Sequence, residues 1–253
     1  MRIAASPGPG FEYYSLRWER NFLYLFIVAS GFFILFPQVD LAVSRHLFAS
    51  GVFPASQHPY WIALREFHRL SVWYILGLLV VLLMLYMLWH QPLVRIAPHK
   101  LLFITLTFAL GPGLLVQTVN LIIGRARPRN LIEFGGLMDF TPAWQLAGMC
   151  RHSCSFPSGE AASAAAMLPL LILLPARYRA GVAAVFVPLL VLISFNRVFM
   201  GAHFLSDIVI AWTLILGVML WLWPRILRNA DTIDQWVRNK GAGLRRRLYA
   251  KAD

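Results

Sequence analysis

Charge is scarce in this chain. Of 253 residues only 13% are Asp, Glu, Lys or Arg, where a soluble domain carries about 25%. Acids are the scarcer sign: 11 Asp and Glu stand against 23 Lys and Arg. An ordinary soluble domain is excluded by that shortage. Two cysteines cannot build a disulfide-rich scaffold. The apolar runs do not alternate with polar residues, so transmembrane β-strands are excluded. The first run begins near Phe22, is long, and has no small-x-small site after it, so no cleavable signal sequence is expected.

Apolar surface is what the chain has in abundance: 59% of residues are hydrophobic and the mean hydropathy is +0.64. That is far more than a disordered chain carries. Nine Trp, eight Tyr and eighteen Phe suit a chain that meets a lipid–water interface. The net charge of +12 could suggest nucleic acid. Its distribution instead suggests an anionic membrane surface and a phosphate site, so no nucleic-acid partner is expected.

A bilayer core about 30 Å thick needs about 20 mostly apolar residues per spanning helix. Six stretches are predicted to cross: 21–36, 71–89, 101–123, 161–175, 180–195 and 208–223. The third carries Gly111-Pro112-Gly113, a predicted kink. The fourth is short. The expected fold is an all-α, six-transmembrane helix bundle. Even parity puts both termini on one side. That side would hold 15 of the 23 Lys and Arg, so the termini are predicted to be cytoplasmic. The expected organisation is a cytoplasmic segment 1–20, a membrane domain 21–224 and a basic cytoplasmic tail 225–253. The tail, with Arg245-Arg246-Arg247, reads as an anchor to anionic headgroups. Loops 124–160 and 196–207 then face outward and hold five of the eight outward arginines. A polyanion site would gather them so.

Three short stretches lie where spans meet that outward surface. The first is Asn120-Leu-Ile-Ile-Gly-Arg125-Ala-Arg127-Pro128-Arg129. Arg125, Arg127 and Arg129 alternate, so an extended loop would put them on one face. Pro128 biases Arg127 toward extended geometry. Arginine forks hold phosphate oxygens two at a time. Snorkelling to lipid phosphates is the rival reading, strongest for Arg125 and Arg129. The second stretch is Ser155-Phe-Pro157-Ser158-Gly159-Glu160, before an Ala-rich helix. Ser158 fits a helix cap, and Gly159 lets a phosphate approach helix-start amides. The third is Asn196-Arg197-Val-Phe-Met-Gly201-Ala-His203-Phe-Leu-Ser-Asp207. His203 and Asp207 are four apart and share a helix face. A carboxylate on one ring nitrogen makes the other a directed nucleophile or base. A helix-start Asp that happens to lie near a His fits the same spacing.

Together the three resemble the tripartite signature of the type 2 phosphatidic acid phosphatase (PAP2) superfamily. That signature reads Lys-x6-Arg-Pro, Pro-Ser-Gly-His and Ser-Arg-x5-His-x3-Asp. Arg127-Pro128, Pro157-Ser158-Gly159 and Arg197-x5-His203-x3-Asp207 match it in order. Three positions depart: the family Lys falls on Asn120, the His of the second motif on Glu160, and the Ser of the third on Asn196. The resemblance implies that His203 attacks phosphorus to give a phosphohistidine, held by Asp207. It also implies that Asn120, Arg127, Arg197, Ser158, Gly159 and, in place of the family Lys, Arg125 or Arg129 hold the phosphate oxygens. No metal or cofactor is implied. The family His would protonate the leaving group. Glu160 can do so only if it is kept protonated; beside arginines it reads as a residue that orients Arg or His203. His152 is then the available acid.

Cys150 and Cys154 fit a disulfide that stiffens an outward loop, and also two free thiols. In the 38–70 loop, Tyr60 and Trp61 read as interfacial anchors, and Arg65, His68 and Arg69 as candidates for headgroup contact. The implied partner is a membrane lipid phosphate within the bilayer. Phosphatidate, phosphatidylglycerol phosphate, undecaprenyl diphosphate and lipid A phosphate are the candidates. The long arginine-rich loop, the outward site and the Glu variant favour a bacterial envelope lipid such as lipid A phosphate at an inner membrane. A phosphotransferase with the same phosphohistidine, and an inactive lipid-binding homologue, are the rival readings.

Overall fold

The computed structural model describes residues 9–88, 96–150 and 154–249. Nearly all of it is helix. Among the described residues no strand forms, only the isolated bridges Ala49 with Val52 and Leu131 with Met138. The helices are α1 (Pro9–Leu35), α2 (Gln38–Leu47), α3 (Pro59–Leu88), α4 (Pro98–Phe108), α5 (Gln117–Ile123), α6 (Gly159–Ala165), α7 (Ala176–Phe199), α8 (Leu205–Arg228) and α9 (Ala230–Tyr249).

Five helices are long and apolar enough to cross a membrane: Arg17–Leu35, Pro59–Leu88, Pro98–Asn130, Ala176–Phe199 and Leu205–Arg228. The chain is an integral membrane protein. The fourth expected span, 161–175, is shorter and divided. α6 ends at Ala165, and a 3-10 helix, Leu168–Leu173, takes over with Pro169 near its start. The expected kink is there. A π-helical segment, Ala109–Val116, joins α4 to α5 around Pro112, whose missing N–H and bulky ring disrupt the regular ladder. α5 stops at Gly124, whose φ of +63° only glycine adopts without strain.

The core sits around α6. Ala161, Ala162, Ala164, Ala165 and Ala166 are fully buried against α7, α8 and the π segment. Small side chains let helix backbones approach closely where lipid gives no hydrophobic drive.

Two expectations about the flanks change. The 38–70 loop is mostly helical. α2 lies within it, and α3 begins twelve residues before the predicted span. An apolar window detects only the membrane-buried part of a helix, and Arg65, Glu66 and Arg69 extend the polar end. The basic tail is also ordered. α8 runs to Arg228, and α9 folds back onto α3 and α4. A Cβ at Gly241 would lie 2.6 Å from the Met87 carbonyl oxygen, so α9 crosses α3 at backbone distance. Asp234 of α9 accepts from the backbone N–H of His99 at 2.9 Å, and its other oxygen lies 3.1 Å from His99 Nδ1. α9 thus caps the start of α4. With 24 residues, α8 is about 36 Å long. It separates α9 from the helix ends that carry the three motif stretches.

Candidate active site

Four helix ends meet at the other end of α8: the end of α5, the start of α6, the end of α7 and the start of α8. The motif stretches are these ends and the turns between them. His203 sits in the turn from α7 to α8 and is 4% exposed. Its Nδ1 donates to the Ser155 carbonyl oxygen at 2.7 Å. A carbonyl can only accept, so the proton is on Nδ1 and the lone pair of the neutral ring is on Nε2. Asp207 Oδ2 lies 3.5 Å from the same Nδ1. The orienting bond expected from Asp207 is therefore made first by the Ser155 backbone, with the carboxylate close behind. Burial, working against the pull of Asp207, pushes the His203 imidazole below its usual range. It is neutral at neutral pH.

Asp207 is fully buried and heavily bonded. Its Oδ2 accepts from the Phe204 N–H at 2.8 Å and from the Ser155 hydroxyl. Its Oδ1 accepts from Arg125 Nη1 at 2.6 Å. Arg125 does not face a phosphate. It is fully buried, and Nε donates to the Thr141 carbonyl at 2.7 Å. Nη1 also donates to Ser206 Oγ at 2.8 Å, and Nη2 to Asp40 Oδ2 at 2.9 Å. The guanidinium lies over the Phe204 ring at 4.1 Å. The expectation that Arg125 holds phosphate is corrected: internal acceptors take up its fork. Arg125, Arg127 and Arg129 also do not share a face. Arg125 turns inward, Arg127 is half-buried, and Arg129 is exposed in a short 3-10 helix, Pro128–Asn130. Arg127 itself is extended, as Pro128 requires (φ −84°, ψ 153°).

Asn120 is likewise turned to structure. Its amide nitrogen donates to the carbonyls of Cys154 at 2.9 Å and Phe156 at 3.2 Å. With its N–H groups holding the loop before α6, it has none left for a phosphate, which corrects the expected role. Ser158 caps α6, accepting from Ala161 N–H at 3.3 Å. Ser158 N–H donates to the Asp207 carbonyl at 3.1 Å, tying that loop to α8. Asn196 is also structural, donating to the Trp61 carbonyl at 2.8 Å. Cys150 and Cys154 are bonded to each other, with Cα atoms 5.5 Å apart. His152 lies outside the described residues.

Arg197 Nε lies 2.5 Å from Glu160 Oε2. Its N–H points off that line, so the contact is a close ion pair and Nε has no hydrogen bond. Arg127 Nε is also buried without a partner. The Arg127 N–H thus stands buried and unused, which is costly unless an anion answers it, whereas the Arg197 N–H already has the Glu160 carboxylate beside it.

His203, Arg127, Glu160 and Gly159 line one wall of a cavity of about 630 Å³. The same cavity is lined by apolar side chains: Trp73 and Leu76 of α3, Phe108 of α4 and Val116 of the π segment. Polar groups recur along it, namely Thr105, Gln117 and Ser163. Among the described residues no group of three His, Cys, Asp or Glu converges to hold a metal.

Sequence reasoning missed Asp40, the role of the Ser155 carbonyl and the placement of His68. Buried His68 donates from Nε2 to Ser163 Oγ at 2.9 Å and to the Glu160 carbonyl at 3.1 Å, bracing the start of α6 from α3. For Asp40 one signal was available. In a chain with so few acids, an Asp directly after an apolar span is unusual.

The PAP2 superfamily model matches residues 99–231, more than half of the chain. Over 107 residues the chain is 44% identical to the lipid A 4'-phosphatase of Rhizobium leguminosarum, covering 42% of this chain and 46% of that protein. Over 188 residues it is 27% identical to the lipid A 4'-phosphatase of Francisella tularensis subsp. novicida, covering 70% of this chain and 82% of that one. The chain therefore spans about half the length, or less, of the rhizobial relatives it matches. Its fold resembles the crystal structure of a transmembrane PAP2 type phosphatidylglycerolphosphate phosphatase from Bacillus subtilis. The TM-score is 0.53 at 19% identity, over 82% of this chain and 94% of that one, a likeness of fold alone. With more than half its length matched, and with its three motif stretches folded together at one cavity, the chain belongs to the PAP2 superfamily.

Proposed function

We propose that this protein is a lipid phosphatase that removes phosphate through a phosphohistidine on His203, and that its substrate is a lipid A phosphate or a similar envelope lipid. The observation that carries this reading is the cavity. It joins a fixed, neutral imidazole and a half-buried arginine to a wall built for acyl chains. The named relatives are lipid A 4'-phosphatases, which favours that lipid.

The chemistry runs from this geometry. Nε2 carries the lone pair and attacks phosphorus in line. The phosphorus–oxygen bond to the lipid breaks, and the lipid oxygen takes up a proton from solvent water, which the attacking water returns in the second step. Water then attacks the phosphohistidine and releases phosphate. Arg127 and Arg197 hold the oxygens on which charge gathers, with the start of α6 at Ser158 and Gly159 beside them. Glu160, paired with Arg197, orients that arginine. Arginines supply the charge stabilisation, so no metal is required. With Gly159–Leu173 counted as a short sixth crossing, both termini would lie in the cytoplasm and the cavity mouth at the periplasmic face of an inner membrane, a reading that the excess of Lys and Arg on the terminal side supports.

The test is phosphate release by detergent-purified protein from lipid A, phosphatidylglycerol phosphate, phosphatidate and undecaprenyl diphosphate, with chelator present. Release that survives chelation and disappears in His203→Ala is the expected result. Transfer of labelled phosphate to a lipid hydroxyl, without release, would overturn hydrolysis in favour of a transferase. No turnover of any lipid would overturn the enzyme reading.

A further inference from the structure

Asp40 lies in α2, outside the matched family segment and outside all three motifs. It is fully buried. Its Oδ2 accepts from Arg125 Nη2 at 2.9 Å and from the Ser206 hydroxyl. Its Oδ1 accepts from the Ser206 N–H at 2.9 Å. Every partner of its oxygens can act as donor, as an ionised carboxylate requires. Ser206 is the neighbour of Asp207 and belongs to the first turn of α8. The fork of Arg125 is therefore shared between two carboxylates, Asp40 on one nitrogen and Asp207 on the other.

The charge count gives this arrangement a consequence. Arg125 with Asp207 alone would be neutral as a pair, and the carboxylate beside His203 would be spent on the arginine. Burial pushes the Asp40 carboxyl above its usual range, against the pull of Arg125; with Asp40 ionised, as its all-donor surroundings require, the buried group of three carries one net negative charge. His203 is neutral before attack. Its ring gains positive charge as Nε2 bonds to phosphorus. The net negative charge is in place for that moment, in a dry setting where Coulomb terms are strong and nothing needs to reorganise.

We infer that Asp40 is a positioning residue for the reaction. It offsets the charge of Arg125 from the far side, so that the bonded Asp207 carboxylate is not cancelled by that arginine and its charge acts on the His203 ring, and it ties α2 to the turn of α8 that carries Asp207. This inference rests on His203 as the nucleophile. The charged and polar groups around Asp40 are Arg125 from the α5–α6 loop, Ser206 and Asp207 from α8, and Ser44 from its own helix, which donates to the Asp40 carbonyl at 2.9 Å. His203 lies one residue shell beyond, across Asp207.

The experiment compares Asp40→Asn, Ser206→Ala and the full-length wild type on whichever lipid the wild type hydrolyses, across pH. Asp40→Asn keeps the shape and removes the charge. The expected result is a fall in kcat of at least about tenfold, with KM within about twofold. Losing a nearby negative charge also disfavours the imidazolium, so the acid limb of kcat/KM moves to lower pH. Ser206→Ala keeps the charge but loosens the tether. Its kcat should fall by about threefold with the acid limb in place, which serves as the test if Asp40→Asn does not fold. Unchanged kcat in either folded variant, or an Asp40→Asn acid limb that does not move, would overturn the inference. A wild type inactive on every lipid would overturn the underlying reading instead, so the two failures are distinct.

Discussion

The two ends of the bundle handle charge in opposite ways. At the cavity end, Asp40, Arg125, Asp207 and His203 are buried and bonded to one another. At the end where α9 lies, the pairs reach the surface. Arg225 and Glu19 stand 3.5 Å apart with 41% and 30% of their side chains exposed, while His99 and Asp234, though mostly covered, keep 13% and 15% exposed. Water can replace a partner at the second end and cannot at the first. The cavity end is therefore where single changes should be severe, because an unpaired buried charge costs several kcal/mol. The α9 end is organised by helix capping and packing and should tolerate change.

Removing the shared cation tests that difference most strongly. Arg125→Ala leaves two buried carboxylates facing each other with no counter-charge. A loss of about 3–5 kcal/mol of stability is expected, read as a steep drop in the melting temperature of detergent-purified protein. A melting curve close to wild type would mean that water reaches this cluster.

Arg197→Lys is expected to be gentler on the fold and hard on turnover. The ammonium keeps the charge and loses the fork, so kcat/KM on the best lipid should fall about 10²-fold while the melting temperature shifts little. If lysine serves as well, the geometry of the fork does not matter there.

His203 gives the contrast a pH dependence. Its folded value lies below that of free imidazole, which is about 6.5, because burial penalises the charged ring. A depressed value means that neutral His203 contributes stability above about pH 6.5, and that this is lost as pH falls through its folded value. The His203 ring also stays unprotonated over that window. Activity should therefore persist below pH 6.5, and the pH dependence of stability there should flatten in His203→Ala. An acid limb at or above pH 6.5 would mean the ring is solvated.

At the other end, Asp234→Ala removes the cap on α4. A loss of about 1 kcal/mol is expected, with turnover within about twofold of wild type. A large drop in turnover would mean that α9 controls the cavity through α4, and would erase the contrast between the ends.

Much of the membrane architecture was readable in advance because spanning helices announce themselves by composition. Five of the predicted stretches fall, to within a residue, on the five long apolar helices, and the Pro112 kink follows from proline's missing donor. The short α6 was harder. Its stability comes from alanine packing against three neighbours, which a hydropathy window does not see. The motif residues were also readable, but their division of labour was not. Arg125 and Arg127 are two residues apart in the same kind of loop, yet one is enclosed by Asp40 and Asp207 and the other faces the cavity. That choice depends on Asp40, which is 85 residues away from Arg125 in sequence, and no local pattern encodes it. Asn120 shows the same limit: its donors go to a loop more than thirty residues on.

The central claim is that His203 becomes phosphorylated on Nε2 during turnover. The direct measurement is to quench the protein with labelled lipid phosphate at short times under alkaline conditions, which preserve phosphohistidine, and to map the label by mass spectrometry. Label on His203 that is acid-labile, chases into free phosphate and is absent from His203→Ala is the expected result. Turnover with no label on His203 under conditions that trap the intermediate, or label on another residue, would contradict it.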